Sequence, residues 1–301
     1  MYETLINEYD GKFGRGHTVN EIVDWVEDLP PMPGVVTQAL RLADDPDTPA
    51  EELAKVIMLD QALAMPILRS ANSVRYGQRH EVTTLGSAIL VVGMGQIKTL
   101  LMASALRRWN RSFGPIERLI WEKSIGVAAG ARVVCEQRRK YYRDELYLTG
   151  LLHNLGQMVL LSHEKVSGEY SAVLNRMRQH KEDFAAAERA VIGFSHPLVG
   201  ALVARKWGFP LAICQAILRY NDPLDGVSGE EDEKMAMLKL AVGIAQTLGV
   251  GQPEGCMANP RQEMEQYAGW VGFPAGTLAA DLDKSLAETK SCIVSDLAAF
   301  A

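Results

Sequence analysis

The run GLLHNLGQMVLL, residues 150–161, sets His153 and Asn154 among aliphatic side chains. A neutral imidazole in such surroundings can ligate a divalent cation, and a histidine followed by an acid is how a metal-dependent hydrolase would begin its centre. Here the neighbour is an amide, a poor ligand for such ions. The pair is therefore either part of a hydrolytic centre or the shell of one.

Other chemistry-bearing residues give weaker signals. GMGQ at 93–96 lacks a preceding strand and a third glycine at the required spacing, so it reads as a tight turn between helices and not as a nucleotide-binding loop. Cys135, Cys214, Cys256 and Cys292 form no CxxC pair, which argues against a zinc knuckle or a disulfide framework and fits reduced thiols in a cytoplasm. The basic clusters RRWNR at 107–111, with Arg107 and Arg108, and EQRRKYYR at 136–143 could meet phosphate. Each, however, falls near an expected helix C-terminus, where the helix dipole favours cations. Arg69, Asn72 and Ser73 in ILRSANS form a polar group beside apolar sequence, suited to capping, to lobe-to-lobe hydrogen bonds or to partner binding. The remaining histidines, His17, His80, His163 and His180, lie in polar or terminal contexts that assign them to no common site.

The elements that must position these residues read as helices throughout. In TVNEIVDWVEDLP the apolar Val19, Ile22, Val23, Val26 and Leu29 recur at three- and four-residue steps, one face of a helix, and Pro30, Pro31 and Pro33 then stop it. DPDTPAEELAKVIMLD is a helix start, with Thr48 able to cap, Pro49 in the first turn and Glu51 and Glu52 at the positive end of the dipole. Asp60 opens the next helix, which carries Pro66 one turn in. FGP at 113–115 marks a lobe boundary, and the following stretch to Lys140 is a long helix rich in small residues that permit close packing. Alternating β-branched runs are missing, so the expectation is an all-α chain: an N-terminal lobe over 1–114, a second lobe over 115–250 and a helical appendage over 251–301.

The 301-residue chain holds 31 basic against 37 acidic residues, a formal net charge of -6, so no general attraction to nucleic acid or anionic membrane is expected. No run of about 18 apolar residues appears, and the first residues lack the layout of a signal peptide. A soluble cytoplasmic protein is the expectation.

The order of motifs carries a resemblance. LPPMPGVVTQALRLADDPDTPAEELAKVIMLDQALAMPILRSANSVRYG, GSAILVVGMGQIKTLLMAS, WEKSIGVAAGARVV, GLLHNLGQMVLL and GFSHPLVGALVARKWGFPLAICQAILRYNDP resemble, in sequence, the segments of the HDOD family, regulatory relatives of the HD-domain phosphohydrolases, over about residues 19–250. The resemblance implies a two-lobed helical fold whose second lobe is HD-like. It also places the former metal ligands. Lys123 stands where catalytic relatives have a first histidine, and His153 with Asn154 stands for the His-Asp pair. His196 is kept, a later histidine pair falls on Tyr220 and Asn221, and a last acid falls on Val242. Two histidines survive and no carboxylate does, so no metal or other cofactor is expected, and His153 with His196 would hold a divalent cation only weakly. The Lys123 ammonium is expected either to take the cation's space, bonded to Asn154, Tyr220 or His153, or to reach the surface.

The implied role is a non-catalytic signalling module acting through other signalling proteins, its input arriving in trans, with a homodimer left open. Two alternatives stand beside it. One is a metal-dependent phosphohydrolase acting on a nucleotide or cyclic dinucleotide, with Glu122, Asp144 or Glu188 supplying the lost acid. The other is a sensor of a nucleotide second messenger that meets phosphate through Lys123, Arg107 or Arg108.

Overall fold

The computed structural model describes residues 2–9, 19–29, 32–73, 76–77, 81–109, 114–162, 164–253 and 260–300, and among them every regular element is a helix. In chain order these are α1 (Glu3–Tyr9), α2 (Val19–Asp28), α3 (Gly34–Asp44), α4 (Ala50–Ile57), α5 (Gln61–Ala71), α6 (Leu85–Val92), α7 (Met94–Trp109), α8 (Pro115–Arg138) and α9 (Arg143–Leu152). There follow α10 (Leu155–Ser162), α11 (Glu164–Ser167), α12 (Tyr170–His180), α13 (Phe184–Val191), α14 (His196–Lys206), α15 (Leu211–Arg219), α16 (Glu230–Thr247), α17 (Arg261–Trp270) and α18 (Leu278–Phe300). The all-α expectation holds. No single helix among the described residues is long and apolar enough to cross a membrane.

Local chemistry sets many of the ends. Asp60 accepts from the Ala62 N–H (3.0 Å) and opens α5, which runs through Pro66. Asp183 does the same for α13 through Ala186 (2.7 Å), and Thr84 for α6 through Ser87 (3.2 Å). The start of α4 differs from expectation: Pro49 occupies the cap position and no side chain bonds there, so Thr48 does not cap. Gly93 alone separates α6 from α7, the tight turn expected of GMGQ.

The helices gather into two compact units, Met1–Pro30 with Arg111–Lys290, and Pro31–Asn110 with Ser291–Ala301. This grouping is not the division at 114 and 250 by chain order. The first thirty residues go with α8–α17 because α1 packs on α14 and α15, and α2 packs on α14. Leu5, Tyr9, Ile22 and Val26 are buried there, and Lys206 Nζ donates to the carbonyls of Val26 (3.0 Å) and Leu29 (2.7 Å) at the end of α2. Such a cation on the last carbonyls satisfies groups that no helix can pair internally.

In the larger unit α8 is the central rod, buried from Ile120 to Cys135 except at Glu122, with α9 and α16 against it. Its small residues allow that approach, as their pattern suggested. In the smaller unit α3 packs on α4 and α7, while α5 and α6 pack on each other, around Val36, Leu53, Ile57, Ile67, Ile89 and Leu101. Asn72, just past α5, clamps the following loop: its amide donates to Val82 O (2.8 Å) and accepts from Val82 N (2.7 Å). It also donates to Leu68 O (3.0 Å), so its bonds lie within this unit. Arg69 is exposed and Ser73 half-buried.

Candidate functional site

Six helices of the larger unit deliver the polar residues to one place. Lys123 lies in the middle of α8. The stretch 143–162 breaks into α9 and α10, with His153 and Asn154 at the corner. His196 is the first residue of α14, Tyr220 follows the last of α15, and Glu188 sits in α13. The corner reaches His196 because α10 crosses α14 at Gly156, where a Cβ would lie 1.9 Å from the His196 carbonyl oxygen and 2.6 Å from Gly200 N. No side chain fits that crossing.

Hydrogen bonds then knit the group. Glu188 Oε2 accepts from the His196 backbone N–H (2.7 Å) and the His196 Nδ1–H (2.6 Å). Its Oε1 accepts from the Tyr170 hydroxyl (2.8 Å) and the Gln157 amide (3.2 Å). With Nδ1 protonated, His196 Nε2 accepts from the Tyr220 hydroxyl. Tyr220 stacks edge-on to His153, ring centroids 5.0 Å apart at 86°. Its own carbonyl accepts from Lys239 Nζ (2.7 Å), so α16 fixes the end of α15. His153, Asn154, Gln157, Glu188 and His196 are all 0% exposed.

Charge in this interior is costly, and burial shifts the groups there toward their neutral forms. Burial pulls the Lys123 ammonium down to about 8, against the opposing pull of Asp183 and Glu188. Burial, and then the Lys123 charge, hold the His153 imidazole well below its usual range. Burial and the Glu188 carboxylate push the Tyr220 hydroxyl well above its own, so it stays a donor.

The structure places Lys123, His153, Asn154, His196 and Tyr220, the positions singled out by the HDOD resemblance, in one interior. It places Asn221 exposed at the end of α15, and Val242 half-buried against the core of α8, α16 and α17. Arg107 and Arg108 belong to α7, with side chains outside the described residues. Lys123 follows neither expectation. It is buried, so it does not reach the surface, and it bonds neither the Asn154 amide nor His153 Nε2, both of which lack partners. Its Nζ lies 5.6 Å from the centroid of the Phe184 ring, a cation–π contact. Of the acids named as replacements, Glu122 pairs with Arg118 and Asp144 with Arg143 at the surface, whereas Glu188 is in the centre. Tyr170 and Gln157, which complete its shell, carried no sequence signal beyond their helical register.

These residues do not fit a metal ion. Both His196 nitrogens and both Glu188 oxygens are occupied by protein donors and acceptors, a cation stands at Lys123, and no group of three His, Cys, Asp or Glu among the described residues could hold one.

The HDOD domain model matches residues 29–223. A Geobacter sulfurreducens HDOD domain protein of unknown function superposes with a TM-score of 0.70 at 23% identity, covering 92% of this chain and 98% of that one. A Marinobacter aquaeolei VT8 protein, described provisionally as a signal transduction protein, gives 0.71 at 21% identity over 99% of this chain and 65% of its own. One from Shewanella amazonensis SB2B, described provisionally as a phosphohydrolase, gives 0.68 at 20% over 90% and 97%. At these identities the likeness shows the fold. An uncharacterized protein of Treponema pallidum (strain Nichols) is 23% identical over 65% of this chain, a match that spans 38% of that relative's length.

Proposed function

Since this chain belongs to the HDOD domain family, we propose that it is a non-catalytic signalling module that works in the cytoplasm by binding other signalling proteins. One observation carries the reading: His196, one of the two histidines kept in the HD-like centre, is held between Tyr220 and Glu188 by its two ring nitrogens. Hydrolysis of a phosphodiester by such a centre needs a cation that lowers the pKa of a water and neutralises charge on phosphate oxygens. A ring already bonded at both nitrogens, a lone buried acid with four donors on it, and an ammonium in the ligand shell oppose such an ion. The same interior works instead as a polar brace, tying α10, α12, α13, α14 and α15 into one rigid face for partners.

The test combines metal analysis with turnover. Protein purified without chelator is assayed for bound Mn, Fe and Mg and for cleavage of cyclic dinucleotides, alongside affinity capture from the native cell. Sub-stoichiometric metal, no cleavage and a captured signalling partner are expected. Stoichiometric metal with phosphodiester cleavage sinks the reading.

A further inference from the structure

Asn154 precedes the first residue of α10, and its carbonyl accepts the first helical bonds, from Gln157 N (3.0 Å) and Met158 N (3.3 Å). An asparagine at that position ordinarily turns its side chain back to cap the same helix. Here it does not: both Oδ1 and Nδ2 are buried without a protein partner. Two further buried atoms share that fate. His153 spends its Nδ1–H on Gly150 O (2.6 Å) and leaves Nε2 as a bare acceptor, and Gln157 donates to Glu188 but leaves Oε1 bare. Asn154 and Gln157 are three residues apart at the start of α10, and positions three apart are neighbours on a helix.

Each buried polar atom left unpaired costs about 1–3 kcal/mol, so a cluster of them in a native interior implies an occupant. Its chemistry follows from the inventory. Whatever pairs these atoms must supply donors to His153 Nε2, Asn154 Oδ1 and Gln157 Oε1 and an acceptor to Asn154 Nδ2, three donations that need more than one water. A cation accepts nothing from Nδ2 and is opposed by the Lys123 charge that already acts on His153. An anion donates nothing. A nucleobase or other organic ligand is too large for a corner in which residues 150–161 are all buried. We propose that the His153–Asn154 corner is an enclosed hydration site, in which ordered water occupies ground that a metal ion holds in catalytic relatives. Water both donates and accepts, and polar interiors of this kind commonly hold it. It satisfies the corner between α9 and α10 without the carboxylates that an ion requires.

This inference rests on the non-catalytic reading, and the experiment separates the two. Crystals of the full chain are measured at high resolution, untreated, after chelator and after soaking in Mn²⁺. The expected result is a solvent peak within about 2.7–3.2 Å of Asn154 and of His153 Nε2 that neither treatment changes and that gives no anomalous signal. In Asn154→Leu the peak is lost. An empty corner, or a peak unchanged in Asn154→Leu, overturns the hydration site and leaves the signalling reading intact. Anomalous Mn density at the corner overturns both.

Discussion

Lys123 puts a charge into an interior that otherwise holds mostly neutral groups. Its folded pKa of about 8 lies below the usual lysine value of 10.5, so while it is protonated in both states its burial costs stability. As pH rises from 8 to 10.5 the folded chain sheds this proton first and the cost fades, so stability from this group increases across that window. Lys123→Met removes the cost: urea unfolding at pH 7 is expected to show a gain on the order of 1–3 kcal/mol, with the gap to the unaltered protein narrowing by pH 9.5. A loss at both pH values would mean that the Asp183, Glu188 and Phe184 contacts outweigh burial. His153 acts at the other end of the scale. Unfolded, it takes a proton near pH 6.5, and folded it does not, so stability is lost as pH falls below that point. His153→Gln should flatten the slope of the urea midpoint between pH 6.5 and 5. These residues were legible in the sequence because each stands in a motif of recognisable order. Glu188 was legible only as one acid of three. In DFAAAERAVIG nothing local tells a glutamate that faces four donors from one that faces solvent, since its donors come from α10, α12 and α14.

At the scale of elements, helix existence could be read from periodicity, and the start of α5 from Asp60, because those signals act within one turn, whereas Thr48 was expected to cap α4 and does not, and the Asp183 and Thr84 caps went unread. Breaks and crossings could not. GLLHNLGQMVLL is apolar enough to read as one helix, and it breaks at His153–Asn154 because α9 must lie along α8 while α10 turns onto α14. Gly156 is the residue on which that turn depends. Gly156→Ala would set a methyl group 1.9 Å from the His196 carbonyl, and relief requires α10 and α14 to separate and pull His196 from Glu188 or Tyr220. A loss of more than about 3 kcal/mol in urea unfolding is expected, larger than the usual cost of overpacking because a buried network goes with it. The contact of α1 is milder. The Tyr9 hydroxyl meets Ser195 Oγ at 3.0 Å, one residue before His196. Tyr9→Phe should cost about 1–3 kcal/mol, the net worth of the hydroxyl's hydrogen bonds to Ser195 and Arg189, while the buried ring keeps its packing.

At the scale of the molecule, the chain's order and its compact units disagree, and that disagreement can be measured. Sequence places residues 1–30 ahead of the smaller unit, and a division by motif order assigns them to it. The folded chain places them with α8–α17, a long-range choice set by the apolar faces of α1 and α2 against α14 and α15, which periodicity reveals as faces but not as partners. Leu5, Tyr9, Ile22 and Val26 are each at most 3% exposed. Burying one such side chain is worth about 1.5–3 kcal/mol, so removal of the segment strips several such terms from the larger unit and leaves α14 with an uncovered apolar surface. A chain starting at residue 31 should therefore unfold at a Tm lower by more than about 10 °C, with the early loss in the unit that contains His196. Hydrogen exchange locates it: amides of α14 and α15 lose protection in the shortened chain, while those of α3–α5 keep theirs. Were α3–α5 to lose protection first, residues 1–30 would belong to the smaller unit, as motif order suggests, and the brace around Glu188 would stand without them.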